Sequence, residues 1–302
     1  MRLAETCCSA AALLTLACAA PAHAQTPPQE APRLERAQTL TRFAEAEEVQ
    51  LRDIAAVVRV IPENRNDVAI GYVNVGATPA PEYRVTRRRL IVDGKLRRQI
   101  RSCRAVGASG FEVQTTRQGR LSGGEIPTIE VRVPQNATVS ASGAVRLWIG
   151  PAQAAHVRFD ACGDAEIVHV EDEAEISVTG SGDLRLGSAG RAEIAVAGAG
   201  DVALGEIHNG LNVSVAGSGD ITADRVDGPT SIAVQGAGDV TIRDGHATSL
   251  SVVIAGGGDI THGGSAGTLD AVILGGGDVR VRHVDGEINR SVLGGGEVVV
   301  GR

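Results

Sequence analysis

Apolar and polar residues alternate in short runs along the C-terminal half of the chain, and these runs recur at a nearly constant step. Counted from a recurring carboxylate as position zero, positions one and three are mostly Val, Ile or Leu, as in Val202 and Leu204. A second alternating pair, such as Val213 and Val215, appears later in each unit. Because a period of two is typical of strands with one buried face, each unit is predicted to hold at least two short strands.

The carboxylates that mark the units each follow a Gly-x-Gly corner, and successive ones are separated by 18, 19, 19, 20, 19 and 19 residues. They are Asp183, Asp201, Asp220, Asp239, Asp259, Asp278 and Glu297, here called the acid ladder. A repeat of this length without a helical pattern indicates a solenoid, whose units bury their apolar faces by stacking on one another. The pattern extends upstream, so we count nine coils from about Thr138 to Arg302, which make a section on the order of 40 Å tall.

The predicted fold is all-β, a single-stranded parallel β-helix or solenoid of about 19 residues per coil, expected to be right-handed. Residues 135–302 form the regular solenoid. Residues 47–134 have a less regular alternation and are predicted to form a β-rich N-terminal cap or irregular first coils continuous with it. Within this cap, Asp93 and Gly94 are predicted to close a β-hairpin.

The first residues indicate export. Residues 1–24 have a short apolar stretch followed by Ala22-His23-Ala24, which fits the cleavage site of a signal peptide. A lipoprotein anchored at Cys18 is the alternative. Residues 25–46 begin Pro-rich and are predicted to be a flexible tether, and no later apolar run is long enough for a membrane helix. The mature protein is therefore expected in the periplasm, on the cell surface or in the medium.

Two cysteines, Cys103 and Cys162, remain once the signal is removed. An oxidising compartment permits a disulfide between them. Against this, Cys162 occupies the small middle position of a Gly-x-Gly-like corner, where a small buried residue is the simpler interpretation. The sequence leaves both possibilities open, because it does not show whether the two residues lie close enough to be bridged.

The acid ladder is the first candidate for chemistry. Stacked coils place successive carboxylates on the order of 5 Å apart, where like charges repel. One interpretation is that each acid caps backbone N–H groups at its own corner, whose glycines supply a positive φ. The other is a row of Ca²⁺ sites, because oxygen ligands on Gly-rich turns suit this ion. Capping is favoured, no cofactor is expected unless Ca²⁺ binds, and the candidate metal ligands are Asp183, Asp201, Asp220, Asp239, Asp259 and Asp278.

Histidines supply two further candidates. His208, Asp227 and His246, with Asp285 further along, share position seven of their units and could together bind Zn²⁺ or a similar metal. Since this position lies in polar loops, a solvated surface is the favoured interpretation. His262 instead falls in an apolar column, where it is either buried and hydrogen-bonded or part of an outward bulge, and the glycines that follow it favour the bulge.

Charge is unevenly distributed. The chain carries a net charge of −7, yet nine basic residues crowd one stretch: Arg84, Arg87, Arg88, Arg89, Lys95, Arg97, Arg98, Arg101 and Arg104. Such a patch could meet lipopolysaccharide phosphates or another acidic envelope polymer. The alternative is an edge hairpin whose charges prevent unwanted strand pairing. Nucleic acid is not an expected partner, because no aromatic residues are interleaved for base stacking.

An enzyme is disfavoured by the same regularity. Polysaccharide-cleaving β-helices need a groove with paired carboxylates or a positioned base, and aromatic platforms for the sugar. Here the acids recur uniformly instead of converging, and the chain has only six aromatic residues, Phe43, Tyr72, Tyr83, Phe111, Trp148 and Phe159. No nucleophile with a base can be singled out, so the catalytic set is predicted to be empty.

These features resemble a known family. A signal peptide, a leading block from Ala56 to Tyr72, an extended segment from Ile129 to Pro134 and serial Gly-Ser/Ala/Gly-Gly-Asp corners are similar to the putative auto-transporter adhesin head GIN domain family. The resemblance covers about Phe43 to Arg302, and the serial corners are its most specific element. It implies a β-solenoid exported by bacteria with an adhesive or envelope role.

The sequence therefore predicts a non-catalytic, envelope-associated binding or scaffold module. A polysaccharide-acting β-helix enzyme and a calcium-binding solenoid are the alternatives. The expected partner is an envelope glycan, lipopolysaccharide or a protein. Because the last coil, Val298 to Arg302, carries no recognisable cap, end-to-end self-association is a further possibility.

Overall fold

The structure of the protein is a computed structural model that describes residues 39–106 and 110–301. The signal peptide and residues 25–38 of the predicted tether lie outside the described residues. Apart from one turn of 3₁₀ helix at Gly123–Glu125, every regular element in these ranges is a β-strand. No helix in this part of the chain has the length and apolarity needed to cross a bilayer.

Nine strands precede the regular coils. They are β1 (Thr41–Phe43), β2 (Glu48–Glu63), β3 (Val68–Asn74), β4 (Glu82–Thr86), β5 (Arg89–Asp93), β6 (Ile100–Val106), β7 (Gly110–Thr115), β8 (Gly119–Ser122) and β9 (Thr128–Pro134).

The regular coils contain seventeen strands. They are β10 (Asn136–Ile149), β11 (Ala154–Cys162), β12 (Asp164–Ile167), β13 (Val170–Val178), β14 (Asp183–Val196), β15 (Val202–Ile207), β16 (Leu211–Val215), β17 (Ile221–Val226), β18 (Thr230–Val234), β19 (Val240–Asp244), β20 (His246–Ala247), β21 (Leu250–Ile254), β22 (Ile260–Ala266), β23 (Leu269–Ile273), β24 (Val279–Val284), β25 (Ile288–Val292) and β26 (Val298–Val300).

The predicted solenoid is confirmed. Each coil has one strand before its Gly-rich corner and one after it, and every such strand pairs in parallel with its counterparts in the neighbouring coils. The register stacks like positions, so Ile221 pairs with Val240, which pairs with Ile260. Because Val, Ile, Leu and Ala fill these inward columns, one continuous buried core runs along the coils.

Two further coils precede the regular ones. The long strand β2 pairs in parallel with β10 across both halves of a coil, and β2 in turn pairs in parallel with β5 and β9. The outer edge of this first coil is covered by antiparallel strands, since β4 pairs with β5 and β3 pairs with β9. The region thus combines irregular coils with an edge-protecting cap, and both share the core of the solenoid.

The cap begins earlier than the sequence indicates. Strand β1 lies within the predicted tether, yet it pairs antiparallel with β3, and Phe43 packs against the core. Arg42 also contacts the buried carboxylate of Asp67, which Arg65 reaches from the other side. Burial alone would raise the pKa of Asp67, but the hydrogen bonds from the two guanidinium groups outweigh it and lower the pKa. Residues 41–43 are therefore part of the fold.

The predicted hairpin turn at Asp93 and Gly94 is wrong. The hairpin joins β4 to β5, and its two-residue turn is Arg87 and Arg88, with φ of 50° and 63°. Two successive positive φ values match the twist of a two-residue hairpin, even though neither residue is glycine. Asp93 instead ends β5, and its carboxylate accepts the N–H of Lys95 at 3.0 Å.

The segment between β5 and β9 is an insertion with its own small sheet. Strands β6, β7 and β8 pair antiparallel, and Phe111 and Val113 form with Leu96, Leu121 and Ile126 a second buried cluster. Ala55 and Ala144 of the coils belong to the same cluster, so the insertion packs on the outside of the first coils.

A disulfide between Cys103 of β6 and Cys162 of β11 ties the insertion to the solenoid, with Cα atoms 5.8 Å apart. The corner position of Cys162 allows this, because the middle corner residue faces outward: a Cβ built at the equivalent Gly257 or Gly276 meets nothing within 4 Å. A side chain there is therefore not confined to the core.

Replacing both cysteines by serine is expected to loosen the insertion from the coils and to lower its stability by about 2 to 4 kcal/mol, because the bridge closes a loop of 59 residues. Hydrogen exchange of β6–β8, compared between wild type and variant, measures this directly. Wild type in reductant should match the variant. Equal protection of the sheet in oxidised wild type and variant would show that the buried cluster alone holds the insertion.

Candidate functional site

The acid ladder is the most regular polar feature of the solenoid. Each Asp accepts, through Oδ1, the backbone N–H of the acid in the next coil. The acceptor–donor pairs are Asp183–Asp201 at 3.0 Å, Asp201–Asp220 at 2.9 Å, Asp220–Asp239 at 2.8 Å, Asp239–Asp259 at 2.7 Å, Asp259–Asp278 at 2.8 Å and Asp278–Glu297 at 2.9 Å. The carboxylates therefore link neighbouring coils.

This geometry corrects one part of the capping hypothesis. The acids cap backbone N–H groups, but those of the following coil instead of their own corner. Nor do the glycines of the ladder corners, from Gly180 to Gly296, supply a positive φ, in contrast to Gly163 one coil earlier, whose φ is 113°. They are required because a Cβ at Gly217 or Gly238 would overlap the carbonyl oxygen of the glycine stacked beneath it.

Repulsion along the ladder is offset within the chain. Backbone N–H groups donate to every Asp of the ladder. Near the C-terminal end, the guanidinium group of Arg280 also pairs with two successive carboxylates, Asp259 at 3.2 Å and Asp278 at 2.7 Å. Within residues 39–106 and 110–301, no group of three or more His, Cys, Asp or Glu side chains is close enough to hold a metal ion. The ladder geometry thus fits hydrogen bonding without requiring a cation.

Asp220→Asn is expected to cost less than about 1 kcal/mol, because the amide oxygen can accept the same N–H and the change relieves repulsion from Asp201 and Asp239. Asp220→Ala is the matched control and should cost about 1 to 3 kcal/mol, since the N–H of Asp239 then loses its acceptor. The measurement is thermal unfolding, with millimolar Ca²⁺ and with chelator. A large calcium stabilisation of wild type that shrinks in Asp220→Asn would contradict the capping account and support calcium binding.

The position-seven residues do not form one ligand set. Asp227 accepts the backbone N–H of His246 at 2.9 Å and pairs with Arg225 at 2.8 Å. Burial acts to raise the pKa of Asp227, but the hydrogen bonds from Arg225 and His246 outweigh it, so the pKa is lowered. The imidazole of His246 contacts Ser265 at 2.9 Å, whereas Asp285 lies near His283. These groups are engaged in separate local contacts.

His262 is buried, and the predicted outward bulge is therefore wrong for its side chain. Its side chain is 1% exposed, in the inward column between Ile242 and Val281. The register does shift, but only after His262. Nε2 contacts the carbonyl oxygen of Ser265 at 3.0 Å, and Nδ1 has no partner. Burial lowers the pKa of His262 more than this hydrogen bond raises it.

The basic cluster is dispersed by the fold and partly neutralised. Four of its members form ion pairs: Arg88 with Glu47, Arg89 with Glu48, Lys95 with Glu82 and Arg104 with Glu112. In the part of the chain that the structure describes, Arg87, Arg97, Arg98 and Arg101 are exposed and no ion pair involves them. These four residues lie in the β4–β5 turn and at the start of the insertion.

The cavities do not resemble a catalytic cleft. One, of about 80 Å³, is apolar and lies under the segment from Thr78 to Pro81, where Tyr72 and Leu96 line it. A broad open depression of about 480 Å³ lies around Arg65 and Arg132, whose guanidinium groups are paired with carboxylates. Neither brings two acids of the ladder together.

The two faces of the solenoid differ in charge, which the sequence analysis missed. The face formed by β17, β19 and their neighbours carries ion pairs such as Arg225–Asp244 and Arg243–Asp224. Outward positions on the opposite face, in β16, β18 and β21, hold uncharged residues: Asn212, Ser214, Ser231, Ala233, Ser251 and Val253. The signal was present in the alternation. The residues that alternate with the buried ones are Asn, Ser, Ala or Val in β16, β18 and β21, but Thr, Asp or Arg in β17 and β19.

The family model described as putative auto-transporter adhesin, head GIN domain, matches residues 156–243 and 209–301. No curated protein matches the chain. The matched region begins within β11 and includes all of the ladder.

Several crystal structures are similar. A putative adhesin from Parabacteroides distasonis ATCC 8503 aligns with a TM-score of 0.54 and 14% identity, over 87% of this chain and 96% of that one. A putative lipid binding protein from the same strain has a TM-score of 0.43 and 13% identity, over 87% and 96%. A putative adhesin from Parabacteroides merdae ATCC 43184 has a TM-score of 0.43 and 13% identity, over 86% and 95%. At these identities the first similarity shows a shared fold.

Proposed function

We propose, for a chain that belongs to the putative auto-transporter adhesin head GIN domain family through residues 156–301, a role as an exported, non-catalytic binding module of the cell envelope. The observation that carries the proposal is the acid ladder. Its carboxylates, the most conspicuous candidates for chemistry, are hydrogen-bonded from coil to coil as structural groups. What remains is a β-scaffold with one continuous core, whose outward surfaces are available for contact.

Export is supported by three features. The matched family is described as putative auto-transporter adhesins, and the first 24 residues resemble a signal peptide. Cys103 and Cys162 form a disulfide, a bond that persists in oxidising compartments. We therefore place the mature protein in the periplasm, on the cell surface or in the medium.

An acidic envelope polymer, such as lipopolysaccharide or a phosphorylated glycan, is the ligand that the charge distribution favours. Arg87, Arg97, Arg98 and Arg101 are exposed near the N-terminal end, while the chain as a whole is acidic. Guanidinium groups without a carboxylate partner bind phosphate in bidentate geometry. Exposed arginines at this end of the molecule attract a polyanion in spite of the net charge of −7.

The test measures binding of the purified mature protein to lipopolysaccharide, peptidoglycan and envelope glycans, with and without Ca²⁺. Arg97→Glu/Arg98→Glu should weaken binding to the phosphorylated ligand by at least about tenfold. Arg282→Glu/Arg290→Glu is the matched control, because it changes the net charge equally at the other end of the rod. An equal loss of affinity in both variants would show that binding depends on overall charge, and would contradict a specific role for the exposed arginines near the N-terminal end.

A polysaccharide-acting enzyme is the second candidate, and only the β-helical architecture favours it. Such an enzyme needs two carboxyl groups that flank the scissile bond, one protonated to act as the acid and one ionised. The ladder acids instead share one hydrogen-bonding arrangement. Release of reducing sugar from any envelope glycan, abolished by Asp220→Asn and Asp239→Asn, would replace the proposed function by this one.

A further inference from the structure

One broad side of the solenoid carries almost no charge. It consists of the outward-facing residues of β16, β18, β21 and β23 with the corners that follow them, and is called here the smooth face. In residues 211–216, 230–235, 250–255 and 269–274 the only charged residue is Asp270. The outward positions are Asn212, Ser214, Ala216, Ser231, Ala233, Gln235, Ser251, Val253, Ala255, Asp270, Val272 and Leu274.

Large apolar side chains are exposed on this face. Val253 is 39% exposed and Leu274 51%, and Leu293, which follows the neighbouring β25, is 76% exposed. Ala233 and Ala255 beside them are too small to cover them. Contiguous apolar surface of this kind is typical of protein interfaces, whereas single exposed apolar residues need no explanation.

The repeat itself limits what can cover the face. The stacked strands form ridges about 4.8 Å apart, so a partner in contact with several coils must repeat at the same spacing to avoid voids. A second copy of this chain does so by construction. No aromatic residue follows Phe159, so the face offers no platform for sugar rings, and it has no Lys or Arg outward for an anionic membrane.

We propose that the smooth face is the interface of a homodimer, in which two solenoids pack face to face like the sheets of a sandwich. Small side chains allow the close approach that sheet packing requires. A two-fold axis parallel to the coils' stacking direction places the two acid ladders at opposite edges, which avoids repulsion between them. This inference is independent of the proposed ligand-binding function.

The size of the face predicts a weak dimer. The four strands of the face together with the neighbouring β25, each of about six residues, cover roughly 24 Å by 20 Å, or on the order of 500 Å² per copy. The total of about 1,000 Å² lies at the lower limit for specific interfaces, so the expected dissociation constant is micromolar or weaker.

The end of the rod is a poorer interface between copies. On β25 the middle residue, Arg290, pairs in register with Ala271; this position is buried in β23 but exposed in β25. Antiparallel pairing of two β25 strands about this residue would place Arg290 opposite its own copy, and like charges directly opposite destabilise a sheet. The smooth face has no such conflict.

The test is sedimentation equilibrium of the mature protein from about 1 μM to about 1 mM, a range that brackets the expected dissociation constant. Wild type should pass from monomer to dimer. Leu274→Arg and Val253→Arg should weaken the dimer by at least about tenfold, because each buries a charge without a partner. Both residues are exposed, so the monomer should keep its fold, which circular dichroism checks. Thr222→Arg and Thr241→Arg, outward on the opposite face, are the matched controls.

Three outcomes would overturn the proposal: a monomer at every concentration, a dimer that all four arginine variants leave intact, or a dimer lost only in Arg290→Glu. Val253→Cys provides a second measurement, since air oxidation should give a covalent dimer with this variant and not with Thr241→Cys. Flotation with neutral vesicles that Leu274→Arg abolishes, in a protein that stays monomeric, would identify a lipid surface as the partner instead.

Discussion

Gly238→Val is expected to destabilise the solenoid by about 3 kcal/mol or more. A Cβ at this position would overlap the carbonyl oxygen of Gly219 and come within 3.0 Å of its carbonyl carbon, so two backbones must move apart. Backbone atoms cannot rotate away as a flexible side chain can, and separating the coils also strains the hydrogen bond from Asp239 to Asp220.

Chemical and thermal unfolding of Gly238→Val and Gly257→Val measures this effect. Gly257 is the middle residue of the next corner, and a Cβ there meets nothing within 4 Å, so the same substitution should change stability by less than about 0.5 kcal/mol. A similar loss of stability in both variants would show that valine is unfavourable anywhere in a corner, and would contradict the explanation based on the stacking of coils.

Acidification below about pH 6.5 is expected to destabilise the coils around His262. In the folded protein, burial lowers the pKa of this imidazole. Among neighbouring charged or titratable groups, Asp244 acts to raise the pKa and His246 acts to lower it. The unfolded chain therefore takes up a proton at a higher pH than the folded chain does. The contribution to stability is fully present above the ordinary pKa of 6.5 and is lost progressively as the pH falls below it.

His262→Leu should remove this part of the pH dependence, because leucine fills the same column in other coils, such as Leu204. The measurement is the melting temperature between pH 8 and pH 5, compared with the exposed His208→Asn as control. If wild type and His262→Leu lost the same amount of stability over this range, the acid sensitivity would belong to other groups.

The fold could be predicted from the sequence because each coil repeats the same local sequence pattern. A period of two within the strand, a glycine corner and a fixed step leave one stacking arrangement, and nine coils were predicted and found. The N-terminal coils were harder to recognise in the sequence, because β2 and β9 belong to coils that an insertion interrupts. The turn at Arg87 and Arg88 was missed because neither residue is a usual carrier of positive φ.

The site was less predictable, because its contacts join different coils. The acid ladder was identified as capping, but which N–H each carboxylate reaches depends on the offset between layers. The burial of His262 likewise depends on the pairing register, which stays regular through His262 and shifts only between His262 and Ser265. The disulfide depends on how the insertion packs on the coils, and the spacing of the two cysteines in the sequence does not show this.

The bonds of the acid ladder all point the same way along the rod, which makes the molecule directional in how it can be built. Each coil supplies an acceptor to the coil that follows, while the N–H of Asp183, at the start, is satisfied by the carbonyl of Gly163. Among the ladder bonds, removing coils from the C-terminal side leaves a carboxylate that water can solvate, whereas removing them from the N-terminal side leaves a backbone donor without its carboxylate acceptor. The strand edges lose backbone partners in both cases, as the N–H of Leu184, which donates to the carbonyl of Asp201, shows. Such a rod can lengthen during evolution by duplicating its last coil, and it can be assembled in the order in which a ribosome or an export channel delivers it.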